Sequence, residues 1–168
     1  MARWVLRATL RASRASALWP SGPRRSRRRA EVDVLTFTVI GDPAPQGSKR
    51  HVGNGVMIES SKRVKPWREA VAAAAFAARN GQPPLDGPLT LTVTFWLPKP
   101  ASLSRRVLEL GPFRKPDLDK ILRSTLDAMT TAGAIADDAR IVRIVAEKRF
   151  VLTAGHAGAD IGIEECAR

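Results

Sequence analysis

Apolar and polar residues alternate most regularly from Leu89 to Leu97. Leu89, Leu91, Val93, Phe95 and Leu97 fall on one face and Thr90, Thr92 and Thr94 on the other. A period of two predicts a strand with one buried face. Leu35, Phe37 and Val39 against Thr36 and Thr38 predict a second strand over 35–40, closed by the turn formers Gly41-Asp42-Pro43-Ala44-Pro45-Gln46-Gly47. Ser48 to His51 reads as a polar, basic loop, and 56–59 as a short strand. From Pro66 the period becomes helical. Trp67, Val71, Ala74, Ala75 and Ala78 form one stripe, Pro66 suits a first turn, and Asn80-Gly81 supplies a stop. The alanines imply close packing on a sheet. The stretch 98–116 has few structural signals. A second helix is predicted over 117–131, then strands over 141–151 and 160–163. The order β(β)αβαββ lacks a repeated βαβ crossover. It predicts an α+β fold, a two-layer domain with a small mixed sheet and two main helices on one face.

Charge divides this picture. The chain of 168 residues carries a formal +12, but nine of its arginines and no acidic residue lie in 1–30, which leaves +3 for 31–168. We therefore expect an Arg-rich segment without a fold over 1–31 and one domain over 32–168. Three readings of the segment stay open: a basic arm that binds nucleic acid, an organelle-type presequence, or translation from an upstream start with the true start near Val32 or Val34. The absence of Tyr and the scarcity of Asn point to a GC-rich genome, where spurious upstream reading frames are common. The apolar runs of the segment are too short to span a membrane. Cys166 is the single cysteine, which excludes an internal disulfide and a zinc cluster and fits a reducing cytoplasm. His51 and His156 are isolated from any partner at a catalytic spacing.

Carboxylates carry the candidate chemistry. Asp117 and Asp119 open the second helix, and Asp137-Asp138 follow it. Mg²⁺ takes hard oxygen ligands and is held by a few carboxylates, waters and substrate phosphate. Lys115 precedes proline, so the helix begins after it and Asp117 takes the N-cap position. Outside helical geometry Asp117 can converge with Asp119. The competing reading is that both aspartates only favour the positive end of the helix dipole. Asp119, Arg123 and Asp127 form a stripe at i, i+4 and i+8, away from the apolar face, with Asp127 placed to orient Arg123 or to serve as a surface pair. A helix of about 13 residues rises about 20 Å. The residues from Thr131 to Asp138 can return about 25 Å when extended. Asp138 is therefore expected beside Asp117 and Asp119. Asp137 and Asp138 point to opposite sides, so only one of them is a ligand.

These residues resemble the RusA family of Holliday junction resolvases. The family pattern is Lys/Arg-Pro-Asp-Leu-Asp-Asn, a lysine four residues after the second aspartate, Asp-Ala-Leu, a glycine, and Asp-Asp-x-Gln-Ile/Val. Here it reads Lys115-Pro116-Asp117-Leu118-Asp119-Lys120, Arg123, Asp127-Ala128-Met129, Gly133 and Asp137-Asp138-Ala139-Arg140-Ile141. The similarity is specific over about 114–148, including Lys148, and looser over Phe37–Arg79. Lys120 replaces Asn, Arg123 replaces Lys and Arg140 replaces Gln.

The resemblance implies a homodimeric, Mg²⁺-dependent endonuclease that resolves four-way DNA junctions by paired nicks in recombination and repair. It places catalysis at Asp117, Asp119, Asp138 and Arg123, with the three aspartates as metal ligands. Lys49, Arg50, Lys62, Arg63, Lys115, Lys120 and Lys148 are the expected DNA contacts. The expected setting is cytoplasmic, prokaryotic or phage-encoded, at the nucleoid, with branched DNA and a second copy of the chain as partners and no membrane. Two rivals remain: a non-catalytic DNA-binding module whose aspartates are caps and surface pairs, and a metal-dependent nuclease or phosphotransferase acting on other branched DNA or on nucleotides.

Overall fold

The alternating segments assemble into a four-stranded mixed sheet of order β1-β6-β4-β5. The computed structural model describes residues 34–47, 49–51, 57–59, 62–102, 104–151 and 155–166; the Arg-rich segment lies outside them. β1 (Val34–Ile40) pairs antiparallel with β6 (Gly158–Glu165), and β6 pairs antiparallel with β4 (Leu89–Leu97). β4 and β5 (Ile141–Phe150) are parallel. A parallel pair needs a long crossover, and here it carries α2 (Arg105–Leu110) and α3 (Leu118–Thr131). α2 forms inside the stretch read as featureless, with an exposed Arg105–Glu109 pair one turn apart at 3.7 Å. β2 (Lys49–His51) and β3 (Met57–Glu59) form a separate antiparallel two-stranded ladder, so 49–51 of the stretch read as a basic loop are a strand.

α1 (Val64–Arg79) starts two residues ahead of Pro66, which still falls in the first turn, where its missing N–H breaks no helical bond. Asn80 ends the helix in the left-handed region, at φ 47° and ψ 45°, where Asn is among the tolerated residues. Gly133, with φ +68°, turns the chain after α3 while the Ala134 N–H bonds back to the Met129 carbonyl at 3.0 Å.

Both long helices cover one face of the sheet. Trp67, Val71 and Ala75 from α1 and Ile121, Ala128 and Met129 from α3 meet Leu89, Leu91, Val93 and Phe95 of β4 in a single core. Trp67 joins the layers, with its ring 6.4 Å from that of Phe95 and its indole N–H donating to Thr125 Oγ1 at 3.2 Å. The opposite face is polar: Asp160 accepts from Thr38 at 2.8 Å and from Trp96 at 2.7 Å, and Thr94 donates to Glu147 at 3.0 Å.

The direction of α3 positions the site. β4 and β5 run from the Leu89/Ile141 end of the sheet to the Leu97/Phe150 end. α3 begins near the Phe150 end, where Lys148 reaches the Pro116 carbonyl, and runs back toward the Ile141 end. There Leu85 bonds to Ala134 and Ala136.

Candidate active site

Asp117 takes the N-cap position of α3 in extended geometry, φ −69° and ψ 133°, and its carbonyl accepts the first helical bond from the Ile121 N–H at 3.1 Å. Its carboxylate, however, makes no capping bond. It lies 2.7 Å from Lys120 Nζ instead, partly exposed. The hydrogen bond and charge of Lys120 hold the Asp117 carboxyl below its ordinary value of 3.8, with Lys115 and Lys148 adding to the effect. Asp117, with Asp119 to a lesser degree, keeps the Lys120 ammonium protonated above its usual range. Asp119 is exposed and makes no ion pair or hydrogen bond among the described residues. The start of α3 thus presents two outward carboxylates with an ammonium against the first.

Asp137 and Asp138 differ in what they bond to. Asp137 Oδ1 accepts from the Ala139 N–H at 2.8 Å and caps the short 3-10 turn Asp138–Arg140. Asp138 stays exposed, without that bond. The structure does not bring Asp138 beside Asp117 and Asp119, as reach along the chain suggested. α3 has 14 residues, about 21 Å of rise. The residues after it do not double back along the helix; they bond to Leu85 and enter the 3-10 turn at its far end. β5 makes the return journey. Lys148 lies seven residue steps beyond Ile141, roughly 23 Å along the strand, so Lys148, not Asp138, arrives beside Asp117. Among the described residues no three His, Cys, Asp or Glu side chains group closely enough to hold a metal ion. Arg140, at the family's Gln position, pairs with Asp86 at 2.8 Å.

Arg123 is exposed on α3, one turn after Asp119. Asp127 does not orient it; Asp127 Oδ2 lies 3.9 Å from Arg68 on α1, because the packing of the helices turns that carboxylate toward α1. Lys148, an expected DNA contact, turns its ammonium to the backbone of the turn before α3. Its ammonium donates to the Arg114 carbonyl at 3.0 Å and the Pro116 carbonyl at 2.9 Å. The parity of β5 held a signal for this, since Lys148 shares the helix-side face with Ala146 and Phe150.

Two other expected DNA contacts, Arg63 and Lys115, fall near the same end of the sheet, beside Phe150. Arg63, Arg114 and Lys115 line a cavity of about 520 Å³ with Phe113, Pro116 and Phe150. The Arg114 guanidinium stands 5.8 Å over the Phe113 ring. Lys62 is exposed next to Arg63. The side chains of Lys49 and Arg50 lie outside the described residues. Their strand starts three residues after Gln46, whose N–H donates to the Lys120 carbonyl at 3.0 Å. The Lys115–Pro116 peptide bond is cis.

No helix of the described residues is long and apolar enough to cross a membrane. A curated relative, the uncharacterized protein YqaN of Bacillus subtilis (strain 168), is 28% identical over 129 residues, covering 71% of this chain and 89% of YqaN. Residues 41–164 match the family described as endodeoxyribonuclease RusA, a span that takes in the whole carboxylate constellation. The chain belongs to the RusA endodeoxyribonuclease family.

Proposed function

We propose that this protein resolves four-way DNA junctions by paired, Mg²⁺-dependent nicks and works as a homodimer. The observation that carries the reading is the idle N-cap: Asp117 holds the capping position yet aims its carboxylate outward, with Asp119 exposed two residues on. Structural caps would bond to the helix N–H groups.

The donor set fits Mg²⁺. Asp117 is kept ionised, both groups offer hard oxygens, and Mg²⁺ commonly takes only one or two carboxylates beside waters and phosphate. When bound, the ion supplies an activated water and stabilises the leaving oxygen. Asp117 and Asp119 would hold it from the start of α3, with Lys120, now paired with Asp117, displaced from that carboxylate. Arg123, one turn along, puts a positive charge toward the scissile phosphate. Arg63, Arg114, Lys115 and Lys62 grip backbone phosphates, which supply affinity without reading sequence.

A dimer completes the acidic set. β5 is an edge strand, and Val142, Ile144 and Val145 on it are 64%, 44% and 46% exposed. An uncovered apolar edge is a template for pairing with another chain. A two-fold axis through the middle of β5 would pair it antiparallel with the partner's strand. The Ile141 end of one copy would then meet the Phe150 end of the other. Asp138 would lie at the end of the sheet that carries Asp117 of the partner subunit and Asp119 of the partner subunit.

Incubation with labelled four-way junction, in Mg²⁺ or in EDTA, tests the reaction; Mg²⁺-dependent nicks in opposed strands are expected. Mixing Asp117→Asn and Asp138→Asn proteins tests the shared site. Each alone has no intact site, whereas the mixed dimer regains one and nicks a single strand. A mixture as inactive as its parts rules out the shared site. Binding to junctions with no nicking in any metal would leave a binding module, and equal cutting of Y-shaped DNA would point to a flap nuclease.

A further inference from the structure

We infer that Lys148 is a positioning residue that holds the Arg114–Pro116 turn, and through it Asp117, in place, and that it is not a phosphate contact. The inference rests on the metal-site reading above. Three observations carry it.

The strand comes first. Lys148 pairs in register with Phe95, which is fully buried, and shares its side of the sheet with Ala146 and Phe150. Lys148 is half-buried on that face, and the part of its charge withdrawn from water is compensated where the ammonium finds acceptors. The stem can run along the apolar surface while the charged end reaches out.

The acceptors come second. Lys148 Nζ donates to the carbonyls of Arg114 and Pro116, which bracket Lys115 and directly precede Asp117. Bonds from an ammonium are stronger than neutral ones. Two of its three donors are therefore turned inward.

The third observation concerns the turn itself. Among the described residues no backbone-to-backbone hydrogen bond anchors Arg114, Lys115 or Pro116. Pro116 has no N–H to offer, and Asp117 is outside the helix except through its carbonyl. The two bonds of Lys148 tie this turn to the sheet. Without them the direction of the Asp117 carboxylate relative to Asp119 is loosely held. Partners that orient ligands in this way typically matter by 10–100-fold in metal affinity.

The test compares full-length Lys148→Met, Lys148→Arg and wild type. Junction affinity is measured in EDTA across a salt series, Mg²⁺ binding without DNA is followed at the Asp117 and Asp119 amides by NMR, and nicking is split into kcat and KM. In Lys148→Met we expect an unchanged salt slope, about tenfold or more weaker Mg²⁺ binding, and a loss in kcat with KM held. Lys148→Arg, whose fork can also donate to two carbonyls, recovers most of both. A salt slope reduced by about one, with Mg²⁺ binding intact, overturns the proposal in favour of a phosphate contact. Wild-type values throughout overturn it as well. If Lys148→Met does not fold, Lys148→Gln, which keeps two donors on a shorter stem, is read by the same titrations. Failure of wild type to nick would sink the nuclease reading, whereas the Mg²⁺ response of the Asp117 and Asp119 amides still decides the role of Lys148.

Discussion

Lys120 Nζ and Asp117 Oδ2 stand 2.7 Å apart at the start of α3, so the position where the family pattern has Asn is filled by a cation paired with the first candidate ligand. The pair holds Asp117 below its ordinary 3.8. The favourable charge is therefore in place above the ordinary carboxylate range and is lost only as pH falls through the lowered value. Lys120→Asn is expected to raise the Asp117 midpoint toward 3.8 and to lower the Mg²⁺ concentration for half-maximal nicking. Carbon-detected NMR titration and a Mg²⁺ series check the two effects. An unchanged midpoint would show that the pair does not persist in solution.

The aspartates should separate by role. Asp117→Asn, Asp119→Asn and Asp138→Asn are expected to bind junction DNA in EDTA at least as well as wild type while nicking falls by about a hundredfold or more. Asp137→Asn should keep most activity, because Asn can also accept the Ala139 N–H that Asp137 now caps. Full activity in Asp119→Asn would end its assignment as a ligand.

Among the described residues no carboxylate holds the fork of Arg123, since Asp127 faces Arg68. Charge alone is then what the position supplies. Arg123→Lys should retain most of the nicking rate, and Arg123→Ala should lose about tenfold, or about 1.4 kcal/mol of transition-state stabilisation. Single-turnover rates on a junction distinguish this from a geometric role, in which both variants fail alike.

The β5 edge makes a further prediction. Val145→Lys puts a charge on an exposed strand position and should shift the protein to a monomer by light scattering. Nicking should fall with it, while the thermal midpoint of the isolated chain changes little. A monomer that nicks at the wild-type rate would mean that one chain carries a complete site.

Stability should depend on the layer contact of Trp67. This side chain is 1% exposed, so Trp67→Ala is expected to cost about 3–5 kcal/mol. Thr125→Val leaves the buried indole N–H without its acceptor and should cost about 1–3 kcal/mol. Denaturant unfolding measures both.

Much of the scaffold was legible in local patterns. The leucine–threonine alternation of 89–97 became β4 with its apolar face fully inward, and the Trp67 stripe became the buried face of α1. These patterns are local because pleat and helical turn repeat within a few residues. Lys115-Pro116-Asp117 placed the start of α3. β2 and α2 escaped because three- and six-residue elements hold too little periodicity to stand out.

The tertiary structure decided what meets what. Chain length bounded how far Asp138 could travel from Asp117 but not its direction; the isolated bridge of Leu85 with Ile135 and the parallel pairing of β5 with β4 keep it at the far end of α3. The same pairing delivers Lys148 to the Asp117 turn. Helix packing gives Asp127 to Arg68 rather than to its neighbour on the stripe. Periodicity records which side of an element faces inward, whereas the partner of a long polar side chain is chosen by where distant elements cross. That choice exists only once the sheet has formed and α3 has been laid across it.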